Sequence, residues 1–429
     1  MFWTTLLSVL LALASSGIAL GAALGLTGLI ILHFFNDGST YLAVDAIWGV
    51  FNSFTLSAVP LFILLGEILL RSGISARAYT AFTPVFARIP GGLLHSNVAV
   101  CTLFGAVSGS SLSTAAAIGS VAYPEMVERG YDKQTVVGSL AGAGTLGLLI
   151  PPSLSLLIFG ALTETSIGRL FAAGILPGLM VSFLFMAYIF FRCLRSPHLA
   201  PQDNSQYRFV NVILGLLQVW PILMLIIAIM GTIMLGFATP TEAAAVGVLI
   251  AIIISRVWGD LTIQDVFEAI YKSTLTFAAI GFIVLGASIL SLSVSVLGVP
   301  HAILDSAINS GLGKYGIFLL VIAIYVLFGC IFDGLSLMIM TLPIVFPLLV
   351  GYGFDPIWIG VIITLMIEIG QVTPPVGLNL SVLTAITEGE VSLGETAIAT
   401  IPYWIILLLA VGLLSLFPQI ALLLPELLF

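Results

Sequence analysis

Two proline pairs stand in the middle of apolar stretches: Pro151 and Pro152 in GAGTLGLLIPPSLS (142–155), Pro374 and Pro375 in EIGQVTPPVGLN (368–379). Proline has no N–H and clashes with the carbonyl four residues back, so a pair unwinds a helix locally and strips carbonyls of their donors. At membrane depth such backbone persists only against protein or a hydrated cavity. A matched pair of broken spans therefore points to the ion or solute site of a transporter.

A polar cluster precedes each pair, SGSSLST at 108–114 and FDGLS at 332–336. Sodium is a hard cation that takes oxygen ligands, and these clusters supply hydroxyls, a carboxylate and exposed carbonyls. The candidate cation ligands are Ser108, Gly109, Ser110, Ser111, Gly147, Pro151 and Ser153 in the first half. In the second half they are Asp333, Gly334, Ser336, Gln371, Thr373 and Gly377. Candidate solute contacts are Ser110, Thr114, Pro152, Pro375 and Asn379. Small residues also let helices pack closely without binding anything. Asp333 is the sharpest of the set, because a carboxylate between apolar helices is costly unless it meets a cation or water; the alternative is a cap on the following helix. Glu67 and Glu368 fall inside spans, where a proton site and a helix-to-helix hydrogen bond both stay open. Each tip is expected to face its own break.

Enzyme motifs are absent from the sequence. Gly142, Gly144 and Gly147 have G-x-G-x-x-G spacing, but no strand precedes them and no βαβ unit surrounds them. There is no Walker A or H-E-x-x-H pattern. His33, His95, His198 and His301 are scattered, with no cysteine or carboxylate at ligand spacing. The chain is read as a non-enzyme with no cofactor apart from a coupling Na+, driven by an ion gradient or by another subunit.

These residues must be positioned by membrane helices. Of 429 residues 60% are hydrophobic and 7% charged, and the mean hydropathy is +1.23, far outside the range of soluble domains. Twelve Lys and Arg against twenty Asp and Glu give a net charge of −8 with no basic stripe, which excludes nucleic acid as a partner. Cys101, Cys193 and Cys330 are far apart and read as packing residues.

Apolar runs place spans near 3–33, 53–70, 168–191, 209–236, 240–257, 276–298 and 398–417, with interfacial amphipathic stretches at 73–92 and 262–273. The first span is read as uncleaved, and the Gly17, Gly21, Gly25 ladder as close helix packing. Residues 1–191 form a first half-repeat, with a re-entrant hairpin at about 92–130 and a broken span at about 132–163. A linker at 192–208 leads to a second half-repeat, 209–429, with a hairpin at about 314–350 and a broken span at about 356–382. Basic residues at 71–88, 129–133, 192–208 and 256–272 mark the cytoplasmic side. Five crossings between the hairpins put them on opposite sides, the mark of an inverted repeat. The fold class is an all-α polytopic membrane protein.

At these residues the chain resembles the large membrane subunit of tripartite ATP-independent periplasmic (TRAP) transporters over essentially its whole length. The carrying stretches are SGSSLSTAAAIGSVAYPEMVERGYD (108–132), GTLGLLIPPS (144–153), LTETSIGRLFAAGILPGL (162–179), ATPTEAAAVG (238–247), FDGLSLMIMTLPIVFPL (332–348), GFDPIWIGV (353–361) and EIGQVTPPVGLNL (368–380). Many members carry Ala-Asp where Ser113 and Thr114 stand here, so a charge-based role at that position does not carry over.

The resemblance implies a secondary transporter of the bacterial inner membrane. An elevator movement would carry a transport domain, holding both hairpins and both broken spans, against a scaffold. It implies sodium symport of an organic anion such as a C4-dicarboxylate, sialic acid or keto acid. It also implies two partners, a small four-helix membrane subunit expected as a separate polypeptide and a periplasmic substrate-binding protein. A stand-alone sodium- or proton-coupled dicarboxylate symporter of similar architecture is the alternative within transport. An intramembrane protease lacks paired catalytic residues here, and a channel has no use for two broken spans.

Overall fold

The computed structural model describes residues 5–6, 8–9, 12–13, 16–201, 209–309 and 311–429. Much of the start of the first predicted span, and linker residues 202–208, lie outside the described residues. Among those described, every regular element is helical. The first half comprises α1 (Leu20–Phe35), α2 (Leu42–Phe51), α3 (Ala58–Arg71), α4 (Ile74–Phe86), α5 (Leu93–Ser108), α6 (Ser111–Glu128), α7 (Lys133–Leu149), α8 (Leu154–Thr163) and α9 (Ile167–Arg195). The second half begins with α10 (Phe209–Gln218), α11 (Trp220–Met234), α12 (Pro240–Val257), α13 (Ile263–Val296) and α14 (Val299–Asn309). It ends with α15 (Lys314–Gly329), α16 (Gly334–Gly351), α17 (Pro356–Gln371), α18 (Leu378–Ile386), α19 (Leu393–Leu416) and α20 (Gln419–Leu428).

Six stretches among the described residues are long and apolar enough to cross a membrane, or seven if the bent pair formed by α2 and the segment 55–71 counts as one. The chain is a multi-pass membrane protein. One of the six is the 31-residue stretch Lys133–Thr163, which runs through the first proline pair.

The helices differ from the sequence reading in identifiable places. The amphipathic stretch at 262–273 and the span at 276–298 are one 34-residue helix, α13. Ser273, Thr274 and Thr276 at the expected joint break nothing, since their hydroxyls can bond back to the preceding turn; Ser273 and Thr274 both donate to the Ile270 carbonyl. The span at 209–236 divides into α10 and α11 at Val219, because Pro221 has no N–H to continue the ladder. Between the first two predicted spans, where the sequence reading places no element, lies a ten-residue helix, α2, which contains Asp45.

The glycine ladder packs α1 against α13, with one correction. Gly25 lies against Gly286, and a Cβ on Gly28 would stand 2.9 Å from the Ile289 backbone. Gly21 meets Phe282 and Gly286 so closely that neither glycine could carry a side chain without a shift. Gly17 has no part in this: it sits in a turn at φ +77° and a Cβ there would touch nothing within 4 Å.

Two sets of end contacts fix how the broken helices run. At one end of the bundle Lys133 pairs with Glu390 (3.1 Å), Gln134 bonds Glu395 (3.1 Å), and Tyr123 donates to Glu390 (2.7 Å). At the other end Lys314 donates to the Gly353 carbonyl (2.9 Å) and lies 4.3 Å from the Phe354 ring, and Trp358 donates to the Leu414 carbonyl (2.9 Å). Since α7 starts at the first end and α17 at the second, the two broken helices run antiparallel. The α5–α6 pair opens toward the first end and the α15–α16 pair toward the second.

The Tyr123 hydroxyl, and then Lys133, hold the Glu390 carboxyl below the usual carboxylate range. A carboxyl with a depressed folded-state pKa stabilises the fold above its unfolded value and loses that contribution as pH falls through the folded value. We expect Glu390→Gln to lower thermal stability slightly at neutral pH and to flatten the acid limb below about pH 4.5 by the same small amount, because the group is exposed. Thermal unfolding of purified protein across pH 3 to 7 (about the carboxylate range) reads this directly; acid limbs of equal slope would remove the role assigned to the contact.

Candidate functional site

At the first tip α5 ends on Ser108, Gly109 turns the chain at φ +60°, and Ser110 caps α6 by accepting from the Ser113 N–H at 3.4 Å. Thr114 folds back from the next turn. Its hydroxyl donates to the Ser110 carbonyl (2.8 Å) and lies 2.7 Å from the Ser108 hydroxyl. α7 arrives beside this ring of oxygens: a Cβ on Gly147 would stand 2.7 Å from Thr114 Oγ1 and 2.9 Å from the Ser110 carbonyl oxygen. In an unbroken helix the carbonyls of Gly147 and Leu148 would accept from residues 151 and 152. Both are prolines, joined by a cis peptide. The hydroxyls of Ser153 and Ser155 take the Leu148 carbonyl, Ser155 at 2.9 Å. Gly147 keeps a carbonyl with no helical donor next to the tip.

The second tip repeats the plan with different groups. Asp333 caps α16, its Oδ2 accepting from the Ser336 N–H and hydroxyl at 3.1 Å each. Gly334 lies against Gln371, where a Cβ would stand 3.2 Å from Nε2. The Val376 N–H, inside the break, donates to the Cys330 carbonyl of the tip (3.2 Å). Pro374 and Pro375, again cis, remove the helical donors of Gly370 and Gln371. Thr373 N–H restores one of these bonds to Gly370 at 3.1 Å, and the Thr373 hydroxyl donates to Ile369 (2.5 Å). Gly377, at φ +42°, opens α18.

The two tips share one detail that the sequence only hinted at. Four residues before the first proline stands a glycine, Gly147 or Gly370, in backbone contact with a glycine of the hairpin's first arm. A Cβ on Gly105 would lie 2.6 Å from the Gly147 Cα, and one on Gly370 2.7 Å from the Gly329 Cα. Both contacts hold a hairpin and its break at a separation that no side chain permits.

Between the tips lies a cavity of about 450 Å³. Ser108, Ser110, Ser111, Asp333, Ser336 and Gln371 of the expected residues line it. Gly109, Gly147, Pro151, Ser153, Gly334, Thr373 and Gly377 do not line it. Of the expected solute contacts only Ser110 lines the cavity; Thr114, Pro152, Pro375 and Asn379 do not. Asn379 is fully buried and bonds Ser111 instead, its Nδ2 2.6 Å from the Ser111 hydroxyl and its Oδ1 2.9 Å from it. Sequence reasoning did not assign Ser113, or Thr276 and Ile280 of α13, which also line the cavity. Nothing in the local pattern of α13 marks them; only the packing of distant segments does. Glu67 reaches the same cavity from α3 and pairs with Arg71 at 3.6 Å, which in turn pairs with Glu268 at 3.1 Å. Glu368 is fully buried, with no hydrogen-bond partner for either oxygen.

Helix ends give this cavity its chemistry. α5, α7, α15 and α17 end at the tips and breaks, and their C-terminal carbonyls favour cations. α6, α8 and α16 begin at the cavity wall with Ser111, Leu154 and Leu335, and their free N–H groups favour anions. No group of three or more His, Cys, Asp or Glu able to hold a metal occurs among the described residues. A cation here would rely on hydroxyl and carbonyl oxygen and on Asp333, since the cavity's other carboxylate, Glu67, is paired with Arg71.

Comparison with known proteins agrees with this architecture. The chain is 37% identical to the ectoine TRAP transporter large permease protein TeaC of Halomonas elongata, over 87% of each chain. It is 33% identical to the C4-dicarboxylate TRAP transporter large permease protein DctM of Pseudomonas aeruginosa, over 94% of each. Among solved structures, the Alcanivorax borkumensis YdaH transporter superposes with a TM-score of 0.65 over 91% of each chain, at 16% identity, a likeness of fold alone. Residues 7–420 match the family described as "Tripartite ATP-independent periplasmic transporter, DctM component". The chain with the paired tips and paired proline breaks thus belongs to the TRAP transporters, as their large permease subunit.

Proposed function

We propose that this permease subunit imports a small carboxylate solute together with sodium. The observation that carries the proposal is the shared cavity, walled by both tips. Sodium would bind at two places, one beside Ser108, Ser110, Thr114 and the Gly147 carbonyl, the other beside Asp333, Ser336 and the end of α17. The solute carboxylate would lie on the N–H groups that open α6 and α16. In this reading α5–α6 and α15–α16 are re-entrant hairpins, and with α7–α8 and α17–α18 they form a transport domain that moves as an elevator against α3, α12 and α13. The half-repeats are 1–191 and 209–429, joined by a cytoplasmic linker in an inner-membrane protein.

The proposed partners are a small four-helix membrane subunit and a periplasmic binding protein. A relative from Oleidesulfovibrio alaskensis, the isethionate TRAP transporter permease protein DctMQ, is 31% identical over 79% of this chain, which spans 53% of that longer protein. Solute choice would lie mainly with the binding protein, so succinate, ectoine and sialic acid are the first acids to screen against it.

Reconstituted vesicles test the proposal. Uptake should need an inward sodium gradient and the loaded binding protein together; uptake independent of sodium would overturn it. Ser108→Ala with Ser110→Ala should raise the sodium concentration for half-maximal uptake about 30-fold, from about 1 kcal/mol per lost neutral ligand. An unchanged sodium requirement would remove the first site.

A further inference from the structure

The first break touches the second broken helix, α17, through a buried polar seam. Thr364 of α17 donates to the Ser155 hydroxyl of α8 (3.3 Å), and Ser155 donates to the freed Leu148 carbonyl (2.9 Å). Four residues after Thr364, on the same face of α17, comes Glu368. It is 0% exposed, and both carboxyl oxygens lack a hydrogen-bond partner. The Leu149 backbone, at the first break, is the polar group beside it. Three residues on, Gln371 lines the cavity, so the cavity begins about 5 Å along the helix axis from Glu368.

No protein charge compensates this carboxyl. The helices packed against α17 carry their charged residues at their ends: Lys133 of α7, Glu164 after α8, Arg169, Arg192 and Arg195 of α9, Lys314 of α15, Glu395 of α19 and Glu426 of α20. Asp333 caps α16 at the cavity, and the tyrosines among these helices are Tyr188, Tyr315, Tyr325 and Tyr403. The mouth of the cavity adds Glu67, which is already paired with Arg71. An ionised, unpaired carboxylate in such surroundings costs several kcal/mol or more. A metal ion would need a cavity and further oxygen ligands; Glu368 does not line the cavity between the tips, and no group of three or more His, Cys, Asp or Glu able to hold a metal occurs among the described residues. A proton needs neither.

We infer that Glu368 is a proton-binding site at the seam between the two broken helices. It holds its proton as a neutral acid while buried at this seam, and exchanges it with the cavity that Gln371 lines. The step is an acid–base equilibrium, carboxylate plus proton to carboxylic acid, and consumes nothing else. Its transport consequence rests on the sodium-coupled reading above; the protonation state itself does not.

Infrared spectroscopy of the full chain in lipid at neutral pH tests the protonation state. Wild type should show a protonated-carboxyl band that shifts slowly in deuterated buffer, and Glu368→Gln should lose it. No such band in wild type, or one unaltered by the substitution, overturns the site. Should Glu368→Gln fail to fold, the wild-type band still decides, because its absence at neutral pH overturns the inference unaided. A pH-sensitive dye trapped in vesicles then follows proton movement when sodium and loaded binding protein are added. The wild-type signal should be lost in Glu368→Gln while sodium-driven uptake continues; an undiminished signal overturns the exchange. A wild type that shows the band without sodium-driven uptake supports the proton site and overturns sodium coupling.

Discussion

Vesicles carrying Asp333→Asn are expected to take up solute no faster with an inward sodium gradient than without one, although the protein is made, inserted and folded. Asparagine caps a helix about as well as aspartate, so the bonds that Ser336 makes to residue 333 survive and α16 keeps its start. What is lost is the one carboxylate of the second tip. Hydrogen bonds and contacts to a charged group are worth about 1.5–3 kcal/mol, and each 1.4 kcal/mol is tenfold in affinity, so sodium binding should weaken by about 10- to 100-fold. Asp333→Ala removes charge and cap together and should add about 1 kcal/mol of lost stability. The pair separates the two roles. If Asn behaves as wild type and only Ala fails, Asp333 is a cap and nothing more; sodium titration of initial uptake rates, with thermal unfolding alongside, gives the answer.

The second large effect is expected from a single methyl group. Gly147→Ala and Gly370→Ala each put a Cβ under 3 Å from backbone or tip atoms that cannot swing aside: the Ser110 carbonyl in one case, the Gly329 backbone in the other. Forcing extra atoms into such a contact costs about 1–3 kcal/mol, and here relief comes only by moving a tip away from its break. Uptake should fall by at least about tenfold in each variant even where the protein still folds, because misplacing ligands by about 1 Å is enough to cost that much. Gly412→Ala is the control, since a Cβ at Gly412 meets nothing within 4 Å. Equal uptake in all three variants would show that tip and break need no close register.

Much of this arrangement was legible in the chain because its strongest signals are local. A proline pair breaks a helix wherever it stands, and a Ser- or Asp-headed tip caps the next helix, so both breaks and both tips could be read from spacing. Family resemblance then supplied what local chemistry cannot, the grouping of four distant segments into one site. Other features depend on partners far along the chain and left no local mark. Ser113 and Thr276 share a cavity across more than a third of the sequence. Asn379 looks like a solute ligand in EIGQVTPPVGLN, but packing turns its amide onto Ser111. The joint expected within α13 failed for the opposite reason: a change from amphipathic to apolar composition shifts a helix from interface to core without breaking its hydrogen bonds. Glu368 could be read either as a helix-to-helix bond or as a proton site, and its carboxyl meets no side-chain partner, only the Leu149 backbone beside it.

The bond between Ser111 and Asn379 joins residues 268 positions apart. A ribosome releases the first tip long before it has made the amide that completes it. Until residue 379 emerges, the Ser111 hydroxyl must find another partner or stay wet, so the first hairpin can be threaded into the bilayer early yet not finished there. The order of synthesis therefore leaves both tips to be completed together, late, when the second broken helix arrives.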